Sequence, residues 1–217
     1  MEFLVRSIFL SAFLTVAGVG ASVGGKTAPD GKTEIACDLP SFLQTKNVGG
    51  SDGAGLCVFT SIGHAARYQN VAVLEDFRDW MRKYPGGGWP EKVDAMISKI
   101  AKERGVPKPE YIQVQGGRET LEIIRTALDT GRMVSVTYSK SPTGRYGGAR
   151  IAHMVNIVHL DQKYAAVLDN NYITPADKSF EWMSIDQFLQ TYMGGRAGWA
   201  VILLDAGPPP FPYTKGA

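Results

Sequence analysis

Two hydrophobic periods run along the chain, and their order sets the plan. Residues 56–70, "LCVFTSIGHAARYQN", put Val58, Phe59, Ile62, Ala65 and Ala66 on one helical face. Gly53 and Gly55 stop this helix from extending backward, which leaves Cys57 in its first turn. Two amphipathic helices are predicted next, over 73–84 and 89–105, split by "PGGG" and with Gly105 closing the second. The period then changes. "EYIQVQ" (110–115) and "RMVSVTYS" (132–139) read as strands on either side of a helix over 118–131. After the polar loop "KSPTGRYGGAR" (140–150), strands over 151–160 and 163–171 are joined by a tight turn near Asp161–Gln162. A helix over 184–193 with Ser184 as N-cap and a buried strand over 198–204 complete the pattern. Helices first and a mostly antiparallel sheet last make an α+β fold.

Composition adds exclusions. Hydrophobic residues make up 44% of 217, enough for a core, and the net charge of +2 comes from scattered basic residues. No strong field points to nucleic acid or to an acidic membrane surface. The first 21 residues read as a cleaved secretory signal: Arg6, then the apolar "SIFLSAFLTVAGV", then the small residues of Val19–Ala21. The apolar stretch is too short to span a bilayer, and no later one is long enough. The expected address is secreted, periplasmic or otherwise extracytoplasmic. Residues 22–38 read as a flexible polar segment, 39–205 as the folded domain and 206–217 as an irregular proline-rich tail. Neither a cofactor nor a metal is expected, because two cysteines and dispersed histidines do not make a zinc site, and the glycine-rich 48–55 lacks the Lys-Ser/Thr end of a phosphate loop.

Cysteine chemistry changes the picture most. A bridge between Cys37 and Cys57 is the plain reading of two cysteines in a secreted chain. The flanks of Cys57 point elsewhere. At a helix start the helix dipole favours thiolate over thiol, and N–H groups are at hand for an oxyanion. Of three candidate bases, His64 lies seven residues along the same helix, about 10 Å away, and is expected on its exposed side. His153 and His159 are six apart on one strand, roughly 20 Å. His153 stands at the strand's start, after a glycine-containing loop, and the hairpin brings Asp169 or Asn170 opposite it, depending on register. His159, beside the turn, has no such partner.

At these residues the chain resembles the papain-like cysteine peptidases. "GLCVFTS" is similar to their nucleophile segment, and the order Cys57, His153, Asp169 is theirs. The sixteen residues from His153 to Asp169 match their spacing from histidine to the orienting residue. An aspartate in that last position resembles the bacteriocin-processing group most. The resemblance spans about residues 39–205. It implies a Cys57–His153–Asp169 triad acting on a peptide or protein substrate through a thioester; a monomer is expected. Those peptidases carry an oxyanion glutamine six residues before the cysteine, where this chain has Ser51. Gln44, Asn47 and Ser51 are therefore the candidates for the side-chain half of an oxyanion hole. A non-catalytic peptide- or protein-binding module of the same fold is the alternative that this departure favours.

Overall fold

The computed structural model describes residues 20–49, 55–84, 86–173, 180–194 and 197–205. The signal segment up to residue 19, Ser51 and the tail from residue 206 lie outside the described residues.

The architecture is α+β. Among the described residues, seven strands form one antiparallel sheet in the order β1-β6-β5-β4-β3-β7-β2. They are β1 (Ser22–Gly24), β2 (Tyr111–Gly116), β3 (Val134–Tyr138), β4 (His153–Leu160), β5 (Tyr164–Leu168), β6 (Phe180–Ser184) and β7 (Gly198–Leu203). The helices are α1 (Cys57–Gln69), α2 (Phe77–Trp80), α3 (Pro90–Arg104), α4 (Leu121–Asp129) and α5 (Ile185–Met193). Helix α1 packs on β3, β4 and β7, and twelve of its thirteen residues are buried. It is therefore a central helix and not an amphipathic surface one. Helix α3 ends on Gly105 at φ 64°, a left-handed cap, and α5 starts on a full Ser184–Gln187 capping box. Trp182 and Trp199 join the core, while Trp89 stands exposed at the rim.

Two expectations are corrected, and one strand is added. Residues 22–38 are part of the fold. Strand β1 adds to β6 at the sheet edge, Asp30 closes a turn on the N–H groups of Lys32 and Thr33, and Ala28, Ile35 and Cys37 enter the core. These apolar residues are too widely spaced to show a period. The helix expected over 73–84 is broken into a 3-10 turn, the four-residue α2 and a second 3-10 turn. Arg104 takes the Val73 carbonyl and pairs with Asp76. These contacts tie the broken segment to Arg104, while Leu74, Phe77 and Met81 keep helix-like spacing into the core. Strand β6 is not marked by an apolar run, because its second residue is the charged Glu181, buried completely.

Candidate active site

Cys57 is the first residue of α1, and its N-cap is Leu56, which offers no side-chain acceptor. Its sulfur meets a hydrogen bond from His153, the first residue of β4. The strand pairing explains the third member. Asn156 lies opposite Leu168. Carried one step outward, this register turns Asp169 to the side of Val155 and His153, and Asn170 to the side of Met154 and Asn156. His153 Nε2 is 2.8 Å from Asp169 Oδ1, so Nδ1 is the ring nitrogen left for the thiol. Asp169 is fully buried, while Cys57 and His153 are 9% and 8% exposed. The reacting edge is thus desolvated yet open to an incoming group.

Electrostatics follow from this geometry. Burial alone pushes the Cys57 thiol up, but the hydrogen bond and charge of His153, with the N–H groups of Met154 and Val58, outweigh it and lower the thiol below its ordinary value. Burial likewise works against charge on His153. The hydrogen bonds to Asp169 and Cys57 win, raising His153 to about 9. Asp169 loses water but accepts from His153, from Tyr146 Oη at 2.5 Å and from Asn171 N at 2.9 Å, and its carboxyl is held low. A thiolate beside an imidazolium, steadied by a buried carboxylate, is equipped for attack on a carbonyl and for proton return to a leaving amine.

Asn170 does not face the imidazole. Its Nδ2 donates to the carbonyls of Cys57 at 3.2 Å and Met154 at 2.9 Å and to Ser61 Oγ at 2.9 Å. It clamps the start of α1 to β4 and so sets the separation of Cys57 and His153. The two neighbours are expected to fail differently when changed to alanine. Asp169→Ala should lower kcat by about 10²–10⁴ with little change in KM. Asn170→Ala should cost about 1–3 kcal/mol of stability through the loss of a buried donor that serves three acceptors, and less turnover per folded molecule. Thermal melts alongside kinetics separate the two, and the reverse ranking would move the orienting role to Asn170.

The other candidates are placed as follows. His64 is fully buried, not exposed: α1 is covered on every side, so no outer face exists for it. Its Nε2 accepts from Thr45 N at 2.8 Å, its Nδ1 lies 3.1 Å from Asn156 Oδ1, and burial lowers it to about 4. His159 does have a partner, Asp161, at 3.0 Å, and it lies against Trp182. Gln44 donates to the Leu39 carbonyl at 2.8 Å. It adjoins Thr45 at the His64 level of the helix, about two turns from Cys57. Asn47 Nδ2 donates to Asn171 Oδ1 at 3.0 Å. Both amides thus donate to other groups of the protein. Cys37 and Cys57 are both free. Cys37 lies against Tyr68, eleven residues along α1 from Cys57 or about 16 Å, far beyond the ~7 Å that a disulfide allows. Burial pushes the Cys37 thiol up to about 12.

Sequence reasoning missed Tyr146 and Asn171. The signal available for Tyr146 was a lone aromatic among the glycines of "GRYGG", a few residues before His153. Gly88 also belongs to the surroundings of the site. A Cβ there would meet the Val58 side chain at 2.6 Å, so the 86–89 loop rests on the residue next to Cys57. Among the described residues no cluster of His, Cys, Asp or Glu forms a metal site, and no helix is long and apolar enough to cross a membrane. No protein-family model and no curated protein matches the chain.

Proposed function

We propose that the chain is a cysteine-type peptidase, or a closely related thiol hydrolase of amide bonds, built on a papain-like fold and working outside the cytoplasm. The observation that carries this is one imidazole shared between a thiol at a buried helix start and a fully buried carboxylate. The Cys57 thiolate attacks the substrate carbonyl and forms a tetrahedral oxyanion beside the first turn of α1. His153 gives its proton to the leaving amine, a thioester remains on Cys57, and the neutral imidazole then draws a proton from water, which hydrolyses the thioester. Asp169 holds the ring throughout. The secretory character of the first 21 residues supports the extracytoplasmic address.

A second reading, a peptide- or protein-binding module of the same fold, is favoured by one observation: the amides of Gln44 and Asn47 already donate to other groups of the protein. One missing oxyanion donor slows an acyl transfer by about 10²–10³ without abolishing it, so the hydrolase remains the better reading. A mixed peptide library incubated with the intact chain and with Cys57→Ala separates the two. New amino termini made by the native chain alone support the hydrolase. Peptides retained intact by both proteins support the module.

A further inference from the structure

Tyr146 reaches the His153–Asp169 pair from a loop that the chemistry above does not use. The loop leaves β3 after Tyr138, and its neck is closed by Ile151 N on the Ser139 carbonyl at 2.7 Å. Its first leg is fixed to the sheet by Glu181 of β6. That buried carboxylate accepts from the hydroxyls of Tyr138, Ser141 and Thr143 and from Thr143 N. Beyond this anchor the chain turns through Gly144, Gly147 and Gly148, all at positive φ. Tyr146 itself lies at φ 62°, a region that costs a side-chain-bearing residue about 1–2 kcal/mol. The other non-glycine residue in this region, among those described, is Asn70, the C-cap of α1. No helix cap accounts for Tyr146.

The contacts of the phenol account for it. Tyr146 Oη donates to Asp169 Oδ2 at 2.5 Å and accepts from Asn171 Nδ2 at 3.1 Å. The ring stands edge-on to His153 at 5.9 Å and to Tyr172 at 5.2 Å. Asp169 Oδ1 already serves His153 and Asn171 N; Oδ2 is served by Tyr146. We propose that Tyr146 is a positioning residue for His153: its hydroxyl pins Asp169 Oδ2, which aims Oδ1 at the imidazole, and its ring covers that hydrogen bond. Asn47, at the head of the loop leading into Cys57, extends the arrangement through Asn171. This role rests on the reading of Cys57 and His153 as the reacting pair.

The groups facing His153 are Cys57 from α1, Asp169 from the end of β5, Tyr146 from the loop and Tyr138 across the β3–β4 ladder. The Tyr138 hydroxyl is spent on Glu181. Burial and the Asp169 charge push the Tyr146 phenol up, so it stays a donor. Without that donor, Oδ2 is a buried oxygen with no partner. The carboxylate then swings, takes a proton or admits water, and each of these weakens its hold on the imidazolium.

The test uses the intact chain, with Tyr146→Phe and Tyr146→Ala beside the native protein. Three quantities are read: the His153 imidazole titration by NMR, the alkylation of Cys57 by iodoacetamide, and turnover of a cleaved library peptide. In Tyr146→Phe the His153 titration should fall by about one pH unit and kcat by about tenfold, with KM nearly unchanged. Tyr146→Ala, which also uncovers the ring, should move His153 further toward its ordinary value. A His153 titration and kcat indistinguishable from native in the phenylalanine variant overturn the proposal, and this conservative variant decides if the alanine variant does not fold. Native Cys57 reacting no faster than an ordinary thiol would count against the hydrolase reading instead, because the His153 titration reports on Tyr146 without any turnover.

Discussion

Cys57→Ala is expected to eliminate hydrolysis, with a loss on the order of 10⁶ in kcat, and to leave a folded protein. The sulfur is the one atom proposed to bond to the substrate, and neither water nor alanine replaces it at the start of α1. Folding depends little on it. Alanine is the best helix former, the atom removed is small, and the change removes a buried charge while leaving His153 on Asp169. The melting temperature should therefore stay within about a few degrees of native. Clearance of a cleaved peptide, followed beside a thermal melt, checks both parts. Measurable turnover in the variant would mean that the nucleophile lies elsewhere.

The second large effect concerns the three histidines. His153→Ala should lose turnover by about 10⁴–10⁶, because the thiol loses its proton acceptor and the amine its proton donor. The variant also leaves Asp169 charged and buried, with Tyr146 and Asn171 as its donors, so a lower melting temperature is expected as well. His64→Ala should do the reverse. It strands Thr45 N and Asn156 Oδ1 in the interior and should cost about 2–4 kcal/mol, while each molecule that folds keeps its turnover. His159→Ala, at the far end of β4 beside Asp161, should leave turnover close to native. Kinetics per folded molecule with all three variants decide the assignment. Loss at His159 with retention at His153 would dismantle it.

How much of this was legible in the sequence depends on distance along the chain. Local patterns carried well. The Gly55–Cys57 boundary, the Gly105 cap, the Ser184 cap and the hairpin around Asp161 are each set by residues within a few positions of one another, and each is found where the pattern puts it. The hairpin even narrowed the partner of His153 to two residues, and the choice between Asp169 and Asn170 waited only on register. Positions fixed by distant packing were not legible. Nothing beside His64 says that α1 is covered all round. Strand β6 pairs with β1 from the opposite end of the chain, and Glu181, its second residue, breaks the apolar run that a buried strand is expected to show. Tyr146 is the same case at the site itself: its reach to Asp169 is created by a loop folding back over a hairpin, and no local period encodes such a return. The oxyanion candidates follow from residue type and from the bend that their glycines allow. The structure shows what type alone does not, that the amides of Gln44 and Asn47 already have other partners.

The central claim is that Cys57 is a thiolate held against the His153 imidazolium. Its most direct test is the rate of iodoacetamide alkylation at each cysteine of the intact native chain, resolved by peptide mapping and followed across pH. Cys57 loses its proton below the ordinary thiol range, and His153 keeps its own up to about 9, so the ion pair exists between these limits. The account predicts that Cys57 is alkylated rapidly at pH values below the ordinary thiol midpoint of about 8.5, that Cys37, buried and pushed up to about 12, stays unmodified in the folded protein, and that His153→Ala, which leaves burial unopposed by the imidazole, moves the Cys57 profile up to that midpoint or above it. A Cys57 profile with that ordinary midpoint in the native chain, unchanged by His153→Ala, would contradict it.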